Sequence, residues 1–384
     1  MSSRALLVSW NGGGNFPPAV ALAARLVEAG REVAVMADAA PASRASIERV
    51  SGAGAKLIEY QSLDPWPAGL SMEEDPGRFD EIRNGVAVAQ DVLSAAEGFK
   101  PDALVVDCMM GAGLVAAEYL GIPTAVLIHV LYQPFVCYWG DISVDVRRCR
   151  ESLGMEPLQA PLVAEQLQRM ARVLVLVPQA FDYPEAPRAE QTHYVGPILD
   201  PKVPELPADL GFDPSDDRPL VLVSLSTTPQ RQKEALPPVL EALGRLPVRG
   251  LLTLGGIEVG EQTVPENVVV HDYLPHRGLL GQVAAVVSHA GLSTVMAALA
   301  EGVPLVCIPQ GREQPLNAER VVACGAGMNL PIDASTEAIA EAVSTVLDDP
   351  IYRHGALAMR ELIEREGGGA SATRHVEALL EGRR

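Results

Sequence analysis

What most limits the fold of this chain is a series of short, uncharged, apolar runs separated by amphipathic stretches. Ala5–Trp10, Val33–Met36, Ala103–Val106, Thr124–Ile128 and Val173–Val177 each read as a strand. A strand with one face in water alternates apolar and polar residues. These runs do not, so both of their faces must be covered. Pro17–Ala29 between the first two runs reads as a helix: Leu22, Leu26 and Val27 sit near helical spacing and Gly30 follows the end. Gly113–Leu120 reads as another. The pattern predicts an α/β fold, a parallel sheet with helices on both faces.

The pattern then stops and restarts. Residues 196–207 carry four prolines in twelve positions, and a charged run follows from Asp213 to Arg218. Beyond it, Leu220–Leu225, Leu251–Leu254, Val268–His271, Ala285–Ser288 and Leu305–Ile308 read as strands, with helices at 231–244, 293–301, 315–324 and 335–348. At 384 residues the chain is long enough for two domains. We expect a domain over 1–200, a linker over 201–218, a second similar domain over 219–365, and a C-terminal segment 366–384. Helical stretches at 356–364 and 371–382 are expected to pack back on the first domain. Ligands of such folds bind at the carboxyl ends of the strands, and the cleft between two such domains is a natural site. Residues 62–90, with Pro65, Pro67, Pro76 and the acidic run Glu73–Asp75, show little periodicity and read as a long loop, functional or merely mobile.

Charge and cysteine content exclude several classes. Asp and Glu number 49 against 30 Lys and Arg, a formal charge of −19, which is the opposite of a nucleic-acid footprint and unsuited to an anionic membrane. The five cysteines (108, 137, 149, 307 and 324) show no C-x-x-C spacing, so neither a disulfide framework nor a zinc site is expected, and a reducing cytoplasm fits. Ala5–Trp10 is too short for the core of a secretory signal. The longest stretch without formal charge, Gly278–Ala300, contains Gln282, Ser288, His289, Ser293 and Thr294, and reads as a buried strand, loop and helix rather than a membrane span.

Two loops carry candidate chemistry. The first, from Trp10 to Pro18, holds Asn11, Gly12, Gly13 and Gly14 between a strand and a helix. Read as a dinucleotide fingerprint it would use Gly12, Gly14 and Asp38, but Pro17 stands where the third glycine is wanted. Read structurally, the glycines make a tight turn and Pro17 organises the helix start. The second loop follows the strand ending at Ser288. His289 and Gly291 lead into a helix starting near Ser293 and Thr294. Free N–H groups and the dipole at a helix start form an anion site. Hydroxyls and an imidazole beside it suit a diphosphate without a metal. Bland alternatives are N-caps for Ser293 and Thr294, and a satisfied structural role for His289. After the next strand come Glu313 and Gln314; a carboxylate beside an amide suits sugar hydroxyls.

His289, Gly291, Thr294, Gly302, Pro304, Glu313, Gln314 and Asn317 together resemble the donor-binding motif of family 1 nucleotide-sugar glycosyltransferases. The closest likeness is to the bacterial branch that decorates macrolides and other polyketides. The resemblance implies a GT-B fold, two Rossmann-like α/β domains facing across a cleft. It implies an inverting, metal-independent transfer of a sugar, with a deoxysugar on a dTDP carrier favoured and UDP as the other carrier, to a small hydrophobic acceptor. No cofactor is then needed beyond the nucleotide-sugar co-substrate, and a homodimer is compatible. Ser226 and Thr227, in the loop after Leu220–Leu225, resemble a phosphate-contacting turn. Leu274, in His271–His276, resembles the backbone stretch that receives the base.

One departure concerns the base. Most of the family carries a His in the loop after the first strand, oriented by an Asp of the first domain. Here that position falls near Gly12, and no His precedes His129. Asp107, at the end of Ala103–Val106, resembles the orienting carboxylate; its bland reading is a helix N-cap. Three accounts stand: Asp107 acts as the base, directly or through water; another group, foremost His129, serves; or the substrates need little base assistance. Rival functions are a non-catalytic nucleotide-sugar-binding relative and a nucleotide-dependent epimerase or oxidoreductase.

Overall fold

The computed structural model describes residues 2–11, 13–37, 44–62, 76–138, 144–159, 162–183, 188–200, 202–203, 205–226, 230–256, 260 and 263–382. The chain divides into two compact units, Met1–Asp200 with Glu366–Arg384, and Pro201–Arg365.

Unit 1 is built on seven parallel strands: β1 (Arg4–Val8), β2 (Glu32–Ala37), β3 (Lys56–Glu59), β4 (Ala103–Asp107), β5 (Thr124–Ile128), β6 (Arg172–Val175) and β7 (Thr192–Tyr194). Their order in the sheet is β3-β2-β1-β4-β5-β6-β7. The chain leaves β1 toward one edge and returns at β4 to proceed toward the other. The junction of β1 and β4 is therefore a topological switch point, where loops diverge and leave a crevice beyond the carboxyl ends. Strands β4 and β5 are buried along their whole length, as their uncharged runs require. The core on one face gathers Leu7, Val35, Val105, Leu127 and Leu174 of the sheet with Leu22 and Leu26 of the helix Phe16–Glu28.

Unit 2 has six parallel strands: β8 (Leu220–Ser224), β9 (Arg249–Thr253), β10 (Val268–His271), β11 (Ala285–Ser288), β12 (Leu305–Cys307) and β13 (Gly327–Asn329), in the order β10-β9-β8-β11-β12-β13. The switch point here lies between β8 and β11. In register, Ser288 pairs with Ser224 on one side and with Cys307 on the other. The loops leaving all three strands thus start side by side. Gly278–Ala300 is resolved into the short helix His276–Leu280, β11 and the helix Leu292–Ala300, and no helix of the described residues is long and apolar enough to cross a membrane.

Two expectations are corrected. The stretch 356–364 lies in the helix Pro350–Glu366, nearly all of which stays in unit 2. A Cβ on its Gly355 would stand 2.2 Å from the Gly325 carbonyl oxygen, so only glycine permits this packing. Helix Gly368–Leu380, in contrast, lies in unit 1, where Glu377 pairs with Arg31 at 3.0 Å. The second correction is to the loop read over 62–90. Residues 63–75 lie outside the described residues, but Pro76–Asn84 and Val86–Phe99 are helices. Val88, Val92, Ala95, Ala96 and Phe99 supply the apolar face of the latter, mostly beyond the end of the stretch read as loop.

Candidate active site

In unit 1 the side chains of interest stand at the switch point. Asp107 is the last residue of β4 and pairs in register with Leu127 of β5. His129 follows β5 by one residue, so the two side chains start from neighbouring strand ends. His129 Nδ1 lies 3.4 Å from Asp107 Oδ2 and 3.5 Å from Cys108 Sγ. Asp107 is buried, and its carboxylate is held on two more sides. The Met109 N–H donates to Oδ1 at 2.8 Å, and Asn15 Nδ2 donates to Oδ2 at 3.0 Å. Asn15 Nδ2 also reaches the Trp10 carbonyl at 2.9 Å, which ties the loop after β1 to the end of β4.

Asp107 is not an N-cap. Met110 caps the helix Gly111–Leu120, and the Asp107 side chain bends back to the turn before it. Asn15 occupies the N-cap position of Phe16–Glu28 but makes no capping bond there, because its side chain is turned to Asp107. That role was missed from the sequence, where Asn15 was only the last residue of a glycine-rich loop. Arg83 was missed as well. It is buried, bonded to Asp80 at 3.2 Å, and close enough to feel both Asp107 and Cys108. Burial first, then the Asp107 charge, pushes the Cys108 thiol well above its usual range, so it carries its proton. Asn11 and Gly13 flank the first strand's exit, Gly13 with φ 98°; Gly12 and Asp38 lie outside the described residues.

Unit 2 concentrates backbone strain at its own switch point. Among the described residues four non-glycines have positive φ, and three of them are Ser226 (66°), Ala290 (63°) and Arg312 (55°). They lie on the loops after β8, β11 and β12. Each left-handed residue costs about 1–2 kcal/mol, and such residues gather where function demands an unusual backbone. Ala290 is held by bonds on both sides. Its N–H donates to Ser288 Oγ at 3.1 Å, and Asn317 Nδ2 donates to its carbonyl at 3.0 Å. Two such bonds, at about 0.5–1.5 kcal/mol each, offset the strain. The motif asparagine thus acts as a strut under the His289 loop.

His289 is buried, with Nδ1 3.3 Å from the Ser224 carbonyl oxygen. Burial brings its pKa down to about 4; the Ser224 bond pulls it up by less, and the nearby Arg312 charge adds the smallest contribution, downward. In the free protein the ring is therefore uncharged near neutrality, and positive potential there comes from Arg312 and the helix start. A Cβ on Gly291 would lie 2.4 Å from His289 Nε2, so the ring fits only because Gly291 has no side chain. Gly291 is the N-cap of Leu292–Ala300 and has no side chain with which to cap its N–H groups. Ser293 and Thr294 are accordingly inside the first turn, not N-caps.

Ser226 accepts a bond from Gln230 Nε2 at 3.0 Å, and Thr227 lies outside the described residues. Leu274 is buried while Tyr273 beside it is 62% exposed. Glu313 is half-buried at the N-cap of the helix Gln314–Ala323. Gln314, expected to face a sugar, spends its amide inside the protein. Its Oε1 accepts from the Gln310 N–H at 2.8 Å and its Nε2 donates to Gln230 Oε1 at 2.7 Å. The buried side-chain amide of Gln310 has no hydrogen-bond partner, at either oxygen or nitrogen. An orphaned amide in a loop at a switch point has the marks of a ligand contact, and the sequence reading passed over it.

Comparison with known proteins fits this geometry. The profile of the erythromycin biosynthesis protein CIII-like C-terminal domain matches residues 238–367. The chain is 26% identical over 382 residues to the NDP-glycosyltransferase YjiC of Bacillus subtilis (strain 168), covering 96% of this chain and 95% of that one. It is 27% identical over 427 residues to 4'-demethylrebeccamycin synthase of Lentzea aerocolonigenes, covering 99% and 100%. The solved structure of the glycosyltransferase VinC in complex with dTDP superposes with a TM-score of 0.75 at 19% identity, covering 99% of this chain and 100% of that one. These matches favour neither the oxidoreductase nor the auxiliary reading. Two parallel-sheet units and this set of relatives converge: the chain is a glycosyltransferase of GT-B fold, similar to the family 1 enzymes of natural-product biosynthesis.

Proposed function

We propose that this glycosyltransferase moves a hexosyl or deoxyhexosyl group from a dTDP- or UDP-linked donor to a hydroxyl of a small hydrophobic natural product, with inversion at the anomeric carbon. The observation that carries the donor half is the loop around Ala290, where a strained backbone, an uncapped helix start and a buried imidazole sit together. A relative of this fold holds dTDP. In this reading the diphosphate meets the first turn of Leu292–Ala300 at Ser293 and Thr294, together with His289, Ser226, Thr227 and the Arg312 charge. The base lies along the backbone at Leu274. Glu313 and the unpaired amide of Gln310 receive the sugar hydroxyls, and Gln314 positions Gln310 from beneath.

For the acceptor half we assign His129 as the general base and Asp107 as its orienting partner. Asp107 itself is poorly placed to take a proton, since it is buried and both oxygens already accept bonds. His129 Nδ1 lies 3.4 Å from Asp107 Oδ2, and in this scheme the imidazole carries its proton on Nδ1 and keeps a lone pair on Nε2. That nitrogen takes the acceptor's hydroxyl proton as its oxygen attacks the anomeric carbon. The bond from that carbon to the diphosphate oxygen breaks, and the nucleoside diphosphate leaves with the electron pair. Its growing charge falls on donors already aimed at it, which is the efficient form of electrostatic stabilisation. The pair replaces the loop His that the family usually carries, with the imidazole coming from β5 instead of β1. No metal or prosthetic group enters this scheme, and the reaction suits a cytoplasmic enzyme handling small molecules.

A thermal-shift screen of nucleotide sugars, followed by transfer from a labelled donor, tests the reading. A donor at about 100 times its Kd stabilises by about 2.7 kcal/mol. A dTDP- or UDP-sugar should raise the unfolding temperature, and label should pass to a hydrophobic acceptor. No shift with any of these donors would remove the donor assignment.

A further inference from the structure

We propose that Asp107, Cys108 and His129 form a binding site for a thiophilic divalent cation of the Zn2+ or Co2+ kind, and that filling it switches the base off. The three are the one group of three metal-type ligands among the described residues, with all three donor atoms within 4.8 Å of one another. The site is built by topology, not by sequence spacing. Strand β4 ends at Asp107 and the chain turns at Cys108, so consecutive side chains both reach the imidazole carried by the neighbouring strand end.

Two of the three separations match tetrahedral coordination, and the third lies within 4.8 Å. Legs of about 2.0–2.1 Å to nitrogen and oxygen and about 2.3 Å to sulfur place N···O about 3.4 Å apart and S···N about 3.6 Å apart. The observed values are 3.4 Å for His129 Nδ1 to Asp107 Oδ2 and 3.5 Å for Cys108 Sγ to His129 Nδ1. An aspartate, a thiolate and an imidazole are a zinc-like donor set, with the fourth position left for water or an acceptor hydroxyl. The outer shell is also in place: the Met109 N–H and Asn15 Nδ2 fix the carboxylate, as partners of ligating carboxylates do. On coordination the Cys108 proton passes to solvent and the metal–sulfur and metal–nitrogen bonds form.

The consequence for transfer follows from the nitrogen used. A metal on Nδ1 leaves the imidazole's proton on Nε2, the atom that must accept the acceptor's proton, and it withdraws Asp107 at the same time. Inhibition thus rests on the role proposed for His129, whereas binding does not.

The experiment titrates Co2+ into the purified full chain and follows the thiolate-to-cobalt charge-transfer absorption, then displaces it with Zn2+. One cobalt per chain with a thiolate band is expected. Cys108→Ser should lose the band while keeping its unfolding temperature, and Cys137→Ser should keep both. In the transfer assay Zn2+ should inhibit the wild type, a chelator should restore it, and whatever activity Cys108→Ser retains should be the same with and without Zn2+. Absence of the band in the wild type, or its survival in Cys108→Ser, overturns the site. A cobalt band lost in Cys108→Ser from a protein that transfers no sugar would support the site and sink the transferase scheme instead.

Discussion

If His289 contacts the donor diphosphate as proposed, donor affinity depends on pH with a predictable sign. The Ser224 carbonyl can only accept a hydrogen bond, so Nδ1 carries the hydrogen, and Nε2 of the neutral ring is a bare lone pair. A phosphate oxygen is also only an acceptor. The ring can therefore bond a diphosphate through Nε2 only as an imidazolium. In the free protein its pKa is about 4, held down chiefly by burial. At neutral pH, charging it costs about 4 kcal/mol, from about three units at 1.36 kcal/mol each. The bound diphosphate must return that energy by raising the pKa. Between the free and bound values one proton is taken up per donor bound, so Kd should rise up to tenfold per unit of rising pH. Titration calorimetry with dTDP-glucose from about pH 6 to about pH 8, in two buffers of different ionisation enthalpy, reads both the slope and the proton count. The diphosphate diester of that ligand does not titrate there. His289→Gln should flatten the slope, because an amide donates without titrating. A flat wild-type profile with no proton uptake would refute the reasoning.

Three further outcomes follow from the packing. Gly291→Ala keeps an allowed backbone (φ −60°) but sets a Cβ 2.4 Å from His289 Nε2; overpacking should cost about 1–3 kcal/mol in chemical denaturation, with donor affinity falling alongside. Arg150, almost fully buried, is clasped by Glu118 at 2.6 Å and 3.2 Å and by the Glu156 carbonyl at 2.7 Å; Arg150→Ala leaves Glu118 without that partner and should destabilise by about 3–5 kcal/mol in the same assay. His193 and His375 stack at 4.2 Å, and burial holds both below the ordinary range, His375 at about 4. The unfolded chain binds protons there more readily, so stability is full above pH of about 6.5 and lost as pH falls toward about 4. Melting temperatures across that window should drop less in His375→Gln, which helix Gly368–Leu380 carries on its buried side.

Where burial is complete on both faces, the sequence announces the strand. Thr124–Ile128 and Ala285–Ser288 were read to the residue, because a central parallel strand must be apolar throughout. Edge strands need not be. Lys56–Glu59, Thr192–Tyr194 and Gly327–Asn329 are short and partly exposed, and nothing in their composition separates them from loop. The candidate site divides on similar lines. The His289 loop was legible because a helix start following a strand is a local pattern. The contacts of Asp107 were not, since Asn15, Cys108 and His129 meet it through strand order and register, which local spacing does not encode. The internal hydrogen bond of Gln314 was not legible for a comparable reason: its amide meets Gln230, far away in sequence.

The central claim is that His129, oriented by Asp107, supplies the base that the loop after β1 lacks. The direct test is single-turnover transfer by His129→Ala at saturating donor, with donor Kd measured on the same protein. Loss of a general base should slow the chemical step by about 10²–10⁴-fold and leave donor Kd unchanged, since the proposed donor site lies on the other unit's strand ends. A rate within about twofold of wild type would contradict the account, being far below any general-base contribution.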